Sequence, residues 1–199
     1  LIDAAMPGKA DLVFARLAEW GGGPTDLKRI LITHADLDHA GSAAELQARS
    51  GATVHAGAAT AALLVEGRSP RHMPPPVQFL IDHFVRYKRV DRAAIRPLDD
   101  GDELPVLGGL RVLAAPGHTP EQTAFYSPAA GVLFAADALN TRDDRLQLTP
   151  RRITADQAAA ERSAIQLLQL SPGVIACGHG APLVDGRAAM AELLAQLAG

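Results

Sequence analysis

The chain has 199 residues, 48% hydrophobic and 21% charged, which fits a single well-buried soluble domain over 1–199 and weighs against disorder. Its 22 acidic residues outnumber 19 basic ones, so binding by phosphate neutralisation is disfavoured, and a small-molecule substrate rather than nucleic acid is the expected partner. The single Cys177 cannot form an intramolecular disulfide, and no apolar run approaches the roughly 18 residues needed to cross a bilayer. A reducing, cytoplasmic location without a membrane partner is therefore expected, while the start at Leu1 without an initiator Met says nothing about a leader segment.

In chain order, Leu1 to Asp3 reads as the end of a strand. Lys9 to Trp20 is a helix with Val13, Phe14 and Leu17 on one face, ended by Gly21-Gly22-Gly23-Pro24. Arg29 to Thr33 is a short apolar strand, followed by a polar run from His34 to His39, a helix from about Ser42 to Arg49 and a strand from Ala52 to His55. This alternation predicts an α/β layer architecture.

From Gly57 to Val90 the pattern becomes helical and is broken by Pro70, Pro74, Pro75 and Pro76, which predicts a helical insertion over 57–90. Its stripe of Val77, Leu80, Ile81, Phe84 and Val85, with Phe79 and Tyr87 off that face, is expected to pack on the core; a pocket wall or a homodimer surface is the alternative. The insertion is also expected to border the active-site mouth and to set substrate choice.

Further on, Glu103 to Val106 with Leu110 to Ala114, and Thr123 to Tyr126 with Val132 to Ala135, read as antiparallel hairpins. Thr154-Ala155-Asp156-Gln157 has the form of a capping box opening a helix to about Leu170. A strand over Val174 to Ala176 and a helix over Arg187 to Leu197 close the chain.

Four potential metal ligands fall within six residues, His34, Asp36, Asp38 and His39, directly after an apolar strand. Strand ends are where α/β folds expose functional groups, and imidazole and carboxylate are ligands for Zn, Fe or Mn. Alternation in a tight loop would aim His34 and Asp36 one way and Asp38 and His39 another, so that one loop could serve two metals. Solvated loop charges with an N-capping role for the helix beginning near Ser42 would be the simpler reading for a lone Asp-His pair. Three further strand-terminal candidates weaken it: His118 in Pro116-Gly117-His118-Thr119, Asp137 after Ala135-Ala136, and His179 in Gly178-His179-Gly180.

Order and spacing of these residues resemble the metallo-β-lactamase superfamily, whose motif runs H-x-H-x-D-H, then a distant His, an Asp and a final His. The resemblance extends to Leu1-Ile2-Asp3, Asp99-Asp100-Gly101 and Cys177-Gly178-His179-Gly180. It implies an αββα sandwich and a two-metal site. His34, Asp36 and His118 would hold the first ion, Asp38, His39 and His179 the second, and Asp137 would bridge both. The sequence departs from the family pattern at Asp36, where His is usual, and at Thr119-Pro120-Glu121-Gln122, where many members have Gly-His.

The activity implied is metal-dependent hydrolysis of an ester, lactone, thioester or amide in a small substrate, with two divalent ions, Zn first and Fe or Mn as alternatives. Asp38 is the catalytic candidate, orienting the attacking solvent and moving its proton. Thr33 and Thr119 are candidates to orient ligands. His55, His72 and His83 fall outside the ligand set, and His83 is the one expected to meet substrate. Cys177 reads as a small buried strand residue. The competing readings are a di-iron redox protein acting on O₂ or NO with a flavin partner, phosphodiester hydrolysis, and a non-catalytic binding protein.

Overall fold

In the computed structural model of the protein, residues 1–142 and 145–198 are described. They form two compact units: residues 1–71 with 75–98, and residues 72–74 with the chain from 99 onward. Among the described residues no helix is long and apolar enough to cross a membrane.

The first unit is built on a parallel sheet of β1 (Arg29–Ile32), β2 (Thr53–Gly57) and β3 (Ile95–Leu98), in that order. Ile30 stands beside Val54 and Val54 beside Ile95, so β-branched residues line up across the three strands. That row packs with Phe14 of α1 (Ala10–Glu19), Leu46 of α3 (Ala43–Ser50) and Leu64 of α4 (Ala58–Glu66). Leu46 and Leu64 are fully buried, and truncating such a side chain to Ala costs about 2–5 kcal/mol. The start of the chain contributes one parallel bridge, Ile2 to Leu31, rather than a strand.

The helical stretch after β2 comprises α4 and α5 (Pro75–Phe84). The expectation that the apolar stripe of α5 packs on the core is overturned: Val77, Leu80 and Phe84 are 44%, 55% and 78% exposed, and Gln78 is the buried residue of this helix. Gln78 donates from its amide to the Pro70 carbonyl and to Asp82, so polar contacts hold the helix on that side. Helical periodicity tells which residues share a face, but not which face is covered. Tyr87, just beyond α5, is buried and donates its hydroxyl proton to the carbonyls of Ala35 and Arg68.

The second unit holds a six-stranded sheet in the order β4 (Glu103–Leu104), β5 (Leu110–Ala114), β6 (Thr123–Ser127), β7 (Val132–Ala136), β8 (Val174–Cys177), β9 (Leu183–Val184). All pairs are antiparallel except β7 with β8. A parallel pair needs a long crossover, and α6 (Gln157–Gln169) lies in that connection. Leu167 and Leu168 of α6, and Met190 and Leu193 of α7 (Arg187–Leu197), pack with Leu133 and Ile175 of the sheet. The cap of α6 is Asp156, whose carboxylate accepts from the Ala159 N–H; Thr154 instead donates its hydroxyl proton to the Thr149 and Pro150 carbonyls.

Candidate metal centre

In the first unit β1 ends at Ile32, and the next residues carry the ligand run. Asp38 and His39 stand on a one-turn helix, α2 (Leu37–Ala40), where a tight loop is expected from the sequence. His34 and His39 are both buried, their ring centroids 4.1 Å apart.

One carboxylate organises both rings. Asp3 accepts from the Thr33 N–H (2.8 Å), from the Thr33 hydroxyl (2.8 Å) and from His39 Nδ1 (2.8 Å). Because the Thr33 proton goes to Asp3, the Thr33 oxygen accepts from His34 Nδ1 at 2.9 Å. A carboxylate acceptor at Nδ1 fixes the tautomer and presents Nε2 as the donor atom to a metal. His34 Nε2 then faces Asp36 Oδ2 at 3.5 Å, and His39 Nε2 faces Asp38 Oδ2 at 3.8 Å. Two ligands about 2.0–2.1 Å from one tetrahedral ion stand about 3.4 Å apart, so both pairs suit a shared cation. Asp3 holds this position with φ +56°, a left-handed conformation that short polar residues tolerate. At the N-cap of α3 the Ser42 hydroxyl makes no bond to its own helix and instead donates to Met6 O and accepts from the Lys9 N–H.

In the second unit three strand ends supply candidate ligands. The register of β7 on β8 shifts between Phe134 and Ala136, and Ala136 takes φ +49°, an irregularity that re-aims the next residue, Asp137. The buried Asp137 Oδ2 lies 3.3 Å from His179 Nε2 and 3.7 Å from His118 Nε2, so two imidazoles converge on one carboxylate. The backbone at His118 is pinned by N–H groups of Ala155 and Asp156, which donate to the carbonyls of His118 and Gly117. Thr141 holds the other loop, its N–H donating to His179 O and its hydroxyl to Ala181 O. Donor chemistry and spacing in both units thus fit divalent metal.

The Thr141 contact constrains Gly180, which sits at φ +94° with the Thr141 carbonyl oxygen 2.7 Å from where a Cβ would stand. Gly180→Ala is expected to cost about 1–3 kcal/mol through left-handed strain alone and to displace His179. Thermal unfolding and metal titration of the variant check this; wild-type values for both would refute it.

The other candidates separate. Thr33 bonds the His34 ring, whereas Thr119 Oγ1 is buried without a hydrogen-bond partner among the described residues. His83 lies exposed on α5, its Nδ1 2.7 Å from Phe79 O. His55 stands on β2, where burial, with Arg29 and Arg96 nearby, depresses its pKa. Burial, reinforced by the negative charge of Asp137, pushes the Cys177 thiol up to about 12, so at neutral pH it is neither thiolate nucleophile nor thiolate ligand. Sequence reading missed Asp3 as a functional group and missed His72, whose ring centroid lies 4.9 Å from that of His118.

The profile of the metallo-beta-lactamase superfamily matches residues 1–179, and the chain belongs to that superfamily. Its fold is the metallo-β-lactamase fold. The chain is 26% identical to the probable metallo-hydrolase YflN of Bacillus subtilis, over 92% of this chain and 75% of that one. It is 35% identical to a hydroxyacylglutathione hydrolase of Fuscovulum blasticum over 70% of this chain, spanning 42% of that longer protein. Among solved structures, a metallo-beta-lactamase family protein from Thermus thermophilus superposes with a TM-score of 0.69 at 28% identity, over 98% of this chain and 69% of that one. Superfamily and relatives together support a metal-dependent hydrolase.

Proposed function

We propose that the two units act as one catalytic domain in which His34, Asp36 and His118 hold one divalent ion, Asp38, His39 and His179 hold a second, and Asp137 is shared. The reaction is hydrolysis of an acyl bond, an ester, lactone, thioester or amide of a small substrate, in the cytoplasm. The observation that carries this reading is the Asp3 carboxylate, which sets both His34 and His39 to present Nε2. Nothing in an ordinary loop requires two buried imidazoles to be locked in that tautomer. The relatives named hydroxyacylglutathione hydrolase favour the acyl side, although the chain covers under half of the first of them.

Zn, Fe or Mn bound there would supply an acidified water and polarise the substrate carbonyl. The chain's own groups do the rest. Asp38, whose side chain is 41% exposed, accepts the proton released on attack and hands it to the leaving group. His34, His118 and Asp137, all buried, keep bulk water away from the reacting atoms. The α4–α5 stretch supplies the apolar wall that selects the substrate. Elemental analysis beside a panel of ester, lactone, thioester and phosphodiester substrates tests the proposal, and a chain that takes up no metal after reconstitution with Zn, Mn or Fe ends it.

Asp36 bears on the metal and on the redox alternative. With it the site carries three carboxylates, Asp36, Asp38 and Asp137; with His in its place there are two, and the formal charge on two divalent ions rises from +1 to +2. Oxygen for nitrogen moves preference from Zn towards Fe or Mn. Asp36→His is therefore expected to raise preference for Zn over Mn by about tenfold or more in a competition titration, on the order of 1.4 kcal/mol. Equal preference in the two forms would show that Asp36 does not tune the metal.

A further inference from the structure

The turn between α4 and α5 carries a histidine that neither ligand set uses. Residues His72–Pro74 belong to the second unit although the helices before and after them belong to the first. His72 is 7% exposed, and its ring meets that of His118 at 4.9 Å between centroids, tilted by 59°. Tilted aromatic pairs at that separation are a favoured packing geometry. The other histidines outside the ligand set are placed differently: His55 lies on β2, and His83 stacks on Phe79.

Such a neighbour bears on the orientation of the His118 ring. The Ala155 and Asp156 N–H groups fix its backbone, but a backbone anchor leaves the two side-chain torsions to be set by packing. Rotation of the ring would carry Nε2 away from Asp137 Oδ2, from which it stands 3.7 Å. We propose that His72 is a positioning residue that holds the His118 ring, by aromatic packing, in the orientation that presents Nε2 towards Asp137. The α4–α5 stretch then carries part of the metal centre as well as a substrate wall. This inference rests on His118 being a metal ligand, as proposed above.

The full-length chain with His72→Ala and with His72→Phe tests it, by competing Co(II) and Zn(II) against a chelator. One of two metal equivalents in His72→Ala is expected to bind about 10–100-fold more weakly, with altered Co(II) visible bands, while the other equivalent is unchanged. His72→Phe, which keeps the ring and loses the nitrogens, is expected to recover most of that affinity. Wild-type affinity and bands in His72→Ala would overturn the proposal, as would equal loss in both variants, which would assign the role to a nitrogen. If His72→Ala does not fold, His72→Leu against His72→Phe makes the same comparison of bulk with ring. A wild-type chain that takes up no metal sinks the hydrolase reading instead. Nuclear Overhauser contacts of the His118 ring in metal-free protein still decide this inference, since an unchanged set of contacts in wild type and His72→Ala overturns it and a reoriented ring supports it.

Discussion

Asp137→Asn is expected to yield a folded protein whose kcat/KM on any acyl substrate falls by about a thousandfold or more, on the order of 4 kcal/mol of transition-state stabilisation. The size of the effect follows from the carboxylate's position. One oxygen of Asp137 faces both His118 Nε2 and His179 Nε2, so a single substitution disturbs two ligand pairs. Asn is nearly isosteric and keeps Oδ1, so loss through unfolding is separated from loss through chemistry by thermal denaturation. The amide removes a negative charge from beside the proposed cations and places two N–H donors where a ligand oxygen stood. Metal content should drop with activity. An Asp137→Asn enzyme with normal kcat/KM would show that the convergence of imidazoles on this residue is structural only.

Asp3→Asn is the second large effect, and it acts at a distance from any reacting atom. Asp3 receives protons from the Thr33 N–H, the Thr33 hydroxyl and His39 Nδ1. An Asn in its place can satisfy the Thr33 N–H with its carbonyl, but its NH₂ group then faces His39 Nδ1. Two donors cannot bond, so either the ring turns away or the His39 proton moves to Nε2, and both outcomes remove Nε2 as a donor to metal. Metal affinity is expected to fall about 10–100-fold. Stability is expected to fall by about 1–3 kcal/mol where the buried partners lose their bonds. Thr33→Val breaks the path to His34 and keeps the one to His39, so it should weaken metal binding less. If Asp3→Asn titrates with metal as the wild type does, the carboxylate is not the organiser of these rings.

Much of the candidate site is legible because its residue types and order announce it: histidines and aspartates placed directly after apolar strands. Asp3 was not legible in its role, since it lies 30 residues from Thr33 and 36 from His39, and only folding shows a hydroxyl relaying one carboxylate to a second ring. The cue was present in the apolar pair before it, Leu1-Ile2, which matches the apolar run before Thr33. His72 gave less: a histidine among prolines has no periodicity to place it.

The fold shows the same division. Helices α1, α6 and α7 follow from apolar spacing, with ends set by glycine, proline and a capping aspartate. Strand β3 escaped because its residues, Ile95-Arg96-Pro97-Leu98, contain a proline and alternate poorly. It lies at the edge of its sheet, bonded to β2 alone, which is where a strand tolerates a residue without an N–H. Strand β9 has two residues, too few to carry a pattern. The covered face of α5 is not legible for a different reason: periodicity fixes which residues share a face, whereas the surface that packs on it depends on the fold.

On the proposed reading, the anchoring of His34 and His39 to Asp3 links metal uptake to folding. An unfolded chain has no Asp3 at Nδ1, so it offers these rings in both tautomers and binds the ion weakly. Any ion preferring the folded arrangement shifts the unfolding equilibrium by mass action, by about 2.7 kcal/mol at a free concentration a hundred times Kd. The melting temperature should climb with the logarithm of free metal, and a chelator should lower it. In Asp3→Asn that slope should set in only at higher metal concentration, because the folded state has lost much of its advantage over the unfolded chain as a ligand. The apparent stability of this protein in a cell would then follow its metal supply.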